Sequence, residues 1–152
     1  MTKSNLKLRG YMFNTIKFNK FSDGRGDLVP IEFGTEFKES NIPFKVKRCY
    51  FISAPTNDDG AIRGKHAHYS LEQVIICVHG SFTLDLDDGK GIKESIHLSE
   101  DDIGVHIKKG LVWRELRDFS PNCVVLVFAS EHYDENDYIH EFSVFKEESL
   151  KN

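Results

Sequence analysis

Apolar and polar residues alternate strictly through Ser81-Phe82-Thr83-Leu84-Asp85-Leu86. That period of two predicts a strand with Phe82, Leu84 and Leu86 on its buried face. The pattern stops at Asp87-Asp88-Gly89 and resumes from Ile92 to Leu98, which predicts a hairpin. Val74-Ile75-Ile76-Cys77-Val78 and Cys123-Val124-Val125-Leu126-Val127-Phe128 are unbroken apolar runs, too short for typical helices, and predict strands buried on both faces. Two further strands are predicted over 27–33, after the turn Ser22-Asp23-Gly24-Arg25-Gly26, and over 46–52, after Asn41-Ile42-Pro43. Pro30 assigns the first of them to a sheet edge. No segment shows the spacing of an amphipathic helix of ten residues. Short strands separated by turn residues predict an all-β sandwich or barrel, and strands buried on both faces in so small a chain point to sheet-on-sheet packing and to a dimer.

Composition narrows the class. With 152 residues, 39% of them hydrophobic, and a formal net charge of -4, the chain is expected to form a single domain over 1–152, with 1–10 and 146–152 peripheral. The last residues, Lys146 to Asn152, are polar enough to fray. No apolar run approaches a membrane span and the first residues lack a signal-peptide core, so a cytoplasmic location is expected. Cys49, Cys77 and Cys123 are odd in number and far apart, which suggests buried free thiols in a reducing compartment. The 24 acidic residues outnumber the 20 basic ones, arguing against nucleic acid while leaving room for a small anionic ligand held by a few arginines.

The chemistry concentrates in Arg63-Gly64-Lys65-His66-Ala67-His68, with a carboxylate at Glu72. Strand geometry sends His66 and His68 to one face and Ala67 to the other. Two imidazoles on one wall suit proton transfer near neutrality or metal binding, and a structural pair is the third reading. Arg48 and Tyr50 are two strand positions apart and share a face, offering an anion clamp and a proton or hydrogen bond. Arg63 suits a forked contact with a diphosphate, and Arg25 lies in a glycine-flanked turn that lets backbone approach a ligand. Trp113, the single tryptophan, is either a core anchor or a stacking surface, with Arg114 and Glu115 alternating faces beside it. His79, His97, His106, His132 and His140 read as surface or packing residues, and Asp134-Glu135-Asn136-Asp137 as a solvated loop.

Gly60, His66, His68, Glu72 and Gly80 together resemble the first motif of the cupin superfamily, whose barrels are jelly rolls. A looser second motif falls at Gly104 through Glu115, where metal-binding cupins close with a histidine and this chain has Glu115. From about Phe18 to Phe145 the sequence resembles the sugar 3,4-ketoisomerases acting on dTDP-4-keto-6-deoxyglucose. The phrases that carry it are Asp23-Gly24-Arg25-Gly26-Asp27-Leu28-Val29, Lys47-Arg48-Cys49-Tyr50, Arg63 to His68, Leu71-Glu72-Gln73-Val74, Val112-Trp113-Arg114-Glu115, and Tyr133 through Ile139.

The resemblance implies a cupin jelly-roll enzyme that is dimeric, with no metal and no cofactor. It would make a 3-keto sugar nucleotide for an aminotransferase, on the way to a 3-amino-3,6-dideoxyhexose of a bacterial surface glycan. It implies His66, His68 and Tyr50 as catalytic residues, with Arg25, Arg48, Arg63, Glu72, Trp113 and Arg114 binding substrate. A 3,5-epimerase acting on the same nucleotide sugar, a metal-dependent cupin oxygenase and a non-catalytic sugar-binding regulator are the competing readings.

Overall fold

The alternation of residues 81–98 folds as the expected hairpin, and Phe82, Leu84 and Leu86 are all buried. In the computed structural model the described residues are 12–33, 41–57, 60–101 and 103–152. Their strands are β1 (Phe13–Lys17), β2 (Phe21–Asp23), β3 (Gly26–Leu28), β4 (Arg48–Ser53), β5 (Arg63–His68) and β6 (Gln73–His79). The chain continues through β7 (Ser81–Asp87), β8 (Lys93–Ser99), β9 (Ile103–Ile107), β10 (Trp113–Arg117), β11 (Val124–Ala129) and β12 (Tyr138–Ile139) to the helix α1 (Phe142–Lys151).

Two five-stranded antiparallel sheets, ordered β1-β9-β6-β11-β4 and β12-β5-β10-β7-β8, supply the two layers, and β2 and β3 form a separate hairpin. Ile75, Cys77, Val105, Ile107, Val125 and Val127 of the first sheet share one core with Phe82, Leu84, Leu86, Leu98 and Leu116 of the second. The outer face of the first sheet carries another cluster, in which Val74, Ile76 and Phe128 join Ile16, Phe18 and Ile42. The central strands β6 and β11 thus lose water from both sides, as their unbroken apolar runs require, although Val78 at the end of β6 is exposed.

Four local expectations need correction. The strand expected over 27–33 ends at Leu28, ahead of Pro30, which has no N–H to donate to a ladder, and only Glu32 makes a later bridge, to Asn41. Cys49 is exposed, because it alternates with Arg48 and Tyr50, which face inward; Cys77 and Cys123 are buried as free thiols. A ten-residue helix exists where none was expected. Phe145 and Ser149 are its buried residues, so its apolar stripe is too narrow to show as periodicity. The tail from Lys146 is therefore helical, capped against the barrel by Lys90 Nζ donating to the Asn152 carbonyl at 2.6 Å, while residues 1–10 lie outside the described part.

Candidate active site

His66 and His68 owe their placement to an irregularity in β5. The strand pairs with β10 as Arg114 opposite His66 and Glu115 opposite Gly64, leaving Lys65 as an extra residue. The chain passes this bulge with φ of 81° at Gly64 and 54° at Lys65. A Cβ at Gly64 would stand 2.7 Å from the Arg114 carbonyl oxygen, so glycine is required there. Beyond the bulge the period of two holds. Ala67 points outward into a cluster with Trp113, Ile139 and Phe145, and the two imidazoles point inward with ring centres 4.8 Å apart.

At this end of the barrel polar side chains replace the apolar core. The first sheet contributes Arg48 and Tyr50 from β4 and Gln73 from β6; the second contributes the histidines, Arg114 from β10 and Tyr138 from β12. Arg114 Nη1 donates to Gln73 Oε1 at 2.6 Å, Gln73 Nε2 donates to the Tyr50 hydroxyl at 3.0 Å, and Arg114 Nη2 donates to the Val112 carbonyl at 2.9 Å. The Arg48 guanidinium lies 5.4 Å from the centre of the Tyr50 ring and 5.7 Å from that of Tyr133. Tyr138 stands directly opposite His68 across the β5–β12 ladder, its ring 4.3 Å from His68 and 5.1 Å from His66.

The tautomers follow from the partners. His68 Nδ1 lies 3.1 Å from Asp137 Oδ2, and a carboxylate only accepts, so this nitrogen carries the proton and Nε2 keeps its lone pair. The same carboxylate accepts from the Ser70 and Leu71 amides at 2.8 and 3.3 Å, which fixes it in place. His66 Nδ1 donates in the same way to the Gly64 carbonyl at 3.0 Å. Burial, followed by the nearby Arg114 charge, pushes the His66 pKa down to about 4 and that of His68 down to about 2. Both rings are therefore neutral bases at physiological pH. Burial also lowers Arg114 to about 10, leaving it charged, and raises the Tyr50 phenol.

Three side-chain nitrogens among the described residues are buried without a hydrogen-bond partner: Arg48 Nε, His68 Nε2 and Arg114 Nε. Buried polar atoms are almost always paired, so three belonging to one polar cluster single that cluster out as the candidate site.

Of the residues singled out in the sequence, His66, His68, Tyr50, Arg48 and Arg114 come together. Glu72 does not join them: Gln73 takes the inward position, and Glu72 Oε2 instead meets His106 Nε2 at 2.7 Å beside Phe44. Trp113 also faces away. Its neighbour Arg114 points inward, so the indole lies on the outer face, donating to Glu115 Oε1 at 2.9 Å and packing on Phe142 and Phe145 of α1. It packs as a core anchor beneath the terminal helix, away from the imidazoles. Arg25 is exposed in the β2–β3 turn, paired with Asp23, and Arg63 is exposed at the start of β5.

The sequence reading missed Asp137, Gln73 and Tyr138. The first lies in a segment taken for a solvated loop, which is in fact a short 3-10 turn running into β12. Glu72 and Glu115, the two carboxylates of the cupin-like motifs, both turn away from the imidazoles, and no group of three or more His, Cys, Asp or Glu side chains among the described residues is arranged to hold a metal ion.

Comparison with known proteins bears on this cluster. A family described as FdtA, WxcM-like, C-terminal, matches residues 12–149. The chain is 44% identical over 131 residues to a TDP-4-oxo-6-deoxy-alpha-D-glucose-3,4-oxoisomerase of Aneurinibacillus thermoaerophilus, covering 86% of this chain and 88% of that protein. The crystal structure of QdtA, a sugar 3,4-ketoisomerase from Thermoanaerobacterium thermosaccharolyticum in complex with TDP, superimposes with a TM-score of 0.82 at 40% identity, over 93% of this chain and 96% of the other. A mutant of that enzyme in complex with TDP-4-keto-6-deoxyglucose matches with the same TM-score and coverage at 39% identity.

Proposed function

The chain belongs to the sugar 3,4-ketoisomerase family and is an isomerase of that class, and we propose that it moves the carbonyl of TDP-4-keto-6-deoxyglucose from C4 to C3 by acid–base transfer through His66 and His68. The observation that carries this reading is the unpartnered Nε2 of a neutral His68 in a buried polar cup. A base that removes a proton from carbon needs a free lone pair, and burial keeps water from occupying it.

His68 Nε2 takes the C3 proton, the C3–H electron pair becomes the C3=C4 double bond, and the former carbonyl pair resides on the C4 oxygen as an enediolate. The C3 hydroxyl proton passes to the C4 oxygen through His66, the C3–O bond becomes the new carbonyl, and C4 takes up a proton from the imidazolium. Nothing is consumed. Asp137 supports the imidazolium that forms when His68 takes the proton and holds the ring in its reactive tautomer. Tyr50 and Tyr138 border the same space, and Arg48, held between two tyrosines, is suited to an anionic group of the substrate.

The product would serve an aminotransferase making a 3-amino-3,6-dideoxyhexose for a bacterial surface glycan, in the cytoplasm; no helix among the described residues is long and apolar enough to cross a membrane. A homodimer is supported by the outer face of the first sheet, where Phe51 is 70% and Val78 53% exposed beyond the covered cluster. Arg25 and Arg63, which stand apart from the cup, are retained as substrate-binding residues only in the sense that a ligand reaching past the rim would meet them.

The test is the reaction in heavy water, read by NMR. A product with its ketone at C3 supports the assignment, with deuterium at C4 to the extent that the imidazolium exchanges with solvent before returning its proton. Deuterium at C3 and C5 with the ketone unmoved would show epimerisation, and no reaction would point to a binding protein.

A further inference from the structure

Arg114 is 1% exposed and the largest side chain in the fully buried set, yet no carboxylate pairs with it. Its contacts are to neutral groups, the Gln73 amide and the Val112 carbonyl, and its Nε–H has no partner. Asp137, the carboxylate whose charge reaches it, is already engaged by His68 and two backbone amides. A buried cation without its anion is costly and persists where a ligand or a reaction intermediate supplies the charge. Its position shows which. Arg114 is the direct cross-strand partner of His66, one register step from the strand bulge, so its side chain shares the inward face with both bases.

We propose that Arg114 is the electrostatic stabiliser of the enediolate, donating its unpartnered Nε–H to the oxygen on C4 as negative charge develops there, and that it is not a clamp for the diphosphate. The neutral imidazoles complete the arrangement. Had either been protonated at rest, the cup would already hold a competing cation and would lack its base. The chain from Arg114 through Gln73 to the Tyr50 hydroxyl locks the guanidinium in one orientation before substrate arrives, which is the preorganisation that makes such a donor effective.

This inference rests on the ketoisomerase reading, and the experiment separates the two. If the parent protein makes no 3-keto product from TDP-4-keto-6-deoxyglucose, the ketoisomerase reading fails and takes this inference with it. Given an active parent, Arg114→Met should lower kcat by ~100-fold or more. KM and the affinity for TDP should stay within about threefold of the parent, because ground-state binding does not use this residue.

The pH profile adds a readout that a packing role would not move. With the cation gone, the acid limb set by His66 and His68 should shift to higher pH, since Arg48, Asp137, Glu135 and His140 remain as the other charged or titratable groups facing them. In Arg114→Lys, which keeps a charge in the same space, the limb should stay near its parent position while kcat falls about tenfold for want of the fitted Nε–H. A TDP affinity that collapses in step with kcat would make Arg114 a diphosphate ligand, and an unchanged kcat in either variant would remove it from the chemistry; both overturn the proposal. If Arg114→Met does not fold, the lysine variant decides, because parent-like turnover in it contradicts a fitted Nε–H donor.

Discussion

Asp137 Oδ2 lies 3.1 Å from His68 Nδ1, across 69 residues of sequence, and this contact determines which nitrogen of the imidazole can accept a proton. Asp137→Asn should therefore be nearly silent for the fold and severe for turnover. An asparagine amide can donate to Nδ1, which moves the ring proton to Nε2 and removes the base. We expect kcat to fall at least ~100-fold, with a melting temperature close to the parent's and a switched tautomer in nitrogen NMR of the imidazole. Near-parent turnover would assign the pair a structural role.

His66→Ala and His68→Ala should each reduce turnover by ~100-fold or more without unfolding the protein, the usual size of an acid–base contribution. Wash-in of deuterium at C3 separates them: loss of His68 should abolish it, whereas loss of His66 should slow carbonyl transfer more than exchange. Exchange that survives in His68→Ala would transfer the role of base to His66.

The pH dependence has a defined sign. Both imidazoles are depressed below the ordinary value of 6.5, to about 4 and about 2, so the native state keeps them neutral where the unfolded chain binds protons. Stability should be full above pH 6.5 and decline as pH falls from there toward 4 and below. Urea melts at pH 7.5 and pH 5 check this, and in the double alanine variant the difference should shrink. Activity of the parent should remain flat through the neutral range, losing its acid limb only near pH 4; an inflection at 6.5 would mean that neither ring is shielded.

Gly64→Ala should be costly on two counts, the positive φ and the 2.7 Å approach to the Arg114 carbonyl. A loss of roughly 1–3 kcal/mol in denaturant melts is expected for a strained residue of this kind, together with reduced turnover as the bulge that aims His66 relaxes. An unperturbed melt would show that the strand tolerates a regular ladder there.

Trp113→Phe tests the outward placement of the indole. It should lower the melting temperature, because Phe142 and Phe145 lose part of their packing surface, and leave KM for the nucleotide sugar unchanged. A raised KM with an intact fold would put the side chain back at the ligand.

The histidine pair was legible because a strand's period of two converts an X-Ala-X phrase into a shared face. The same rule, applied to Trp113-Arg114-Glu115, already implied that an inward Arg114 excludes its neighbours, and their outward placement was readable from parity alone. Glu72 was placed by its position in the cupin-like motif, and motif spacing does not say which of Glu72 and Gln73 turns inward once the chain has left β5; Gln73 does, and Glu72 meets His106. Asp137 was hidden for a different reason. Its contact depends on a two-residue strand closing the sheet edge from the far end of the chain, and nothing local in Asp134-Glu135-Asn136-Asp137 distinguishes a partner of histidine from a hydrated loop. The terminal helix escaped notice because only one narrow stripe of it meets the barrel.

The β5–β12 pairing also orders events in time. During synthesis both imidazoles leave the ribosome well before Asp137, Tyr138 and Ile139, so a nascent chain can possess its proton acceptor long before it possesses the carboxylate that sets that acceptor's tautomer. The cluster is thereby completed from the far end of the chain, only once Tyr138 and Ile139 have paired with β5.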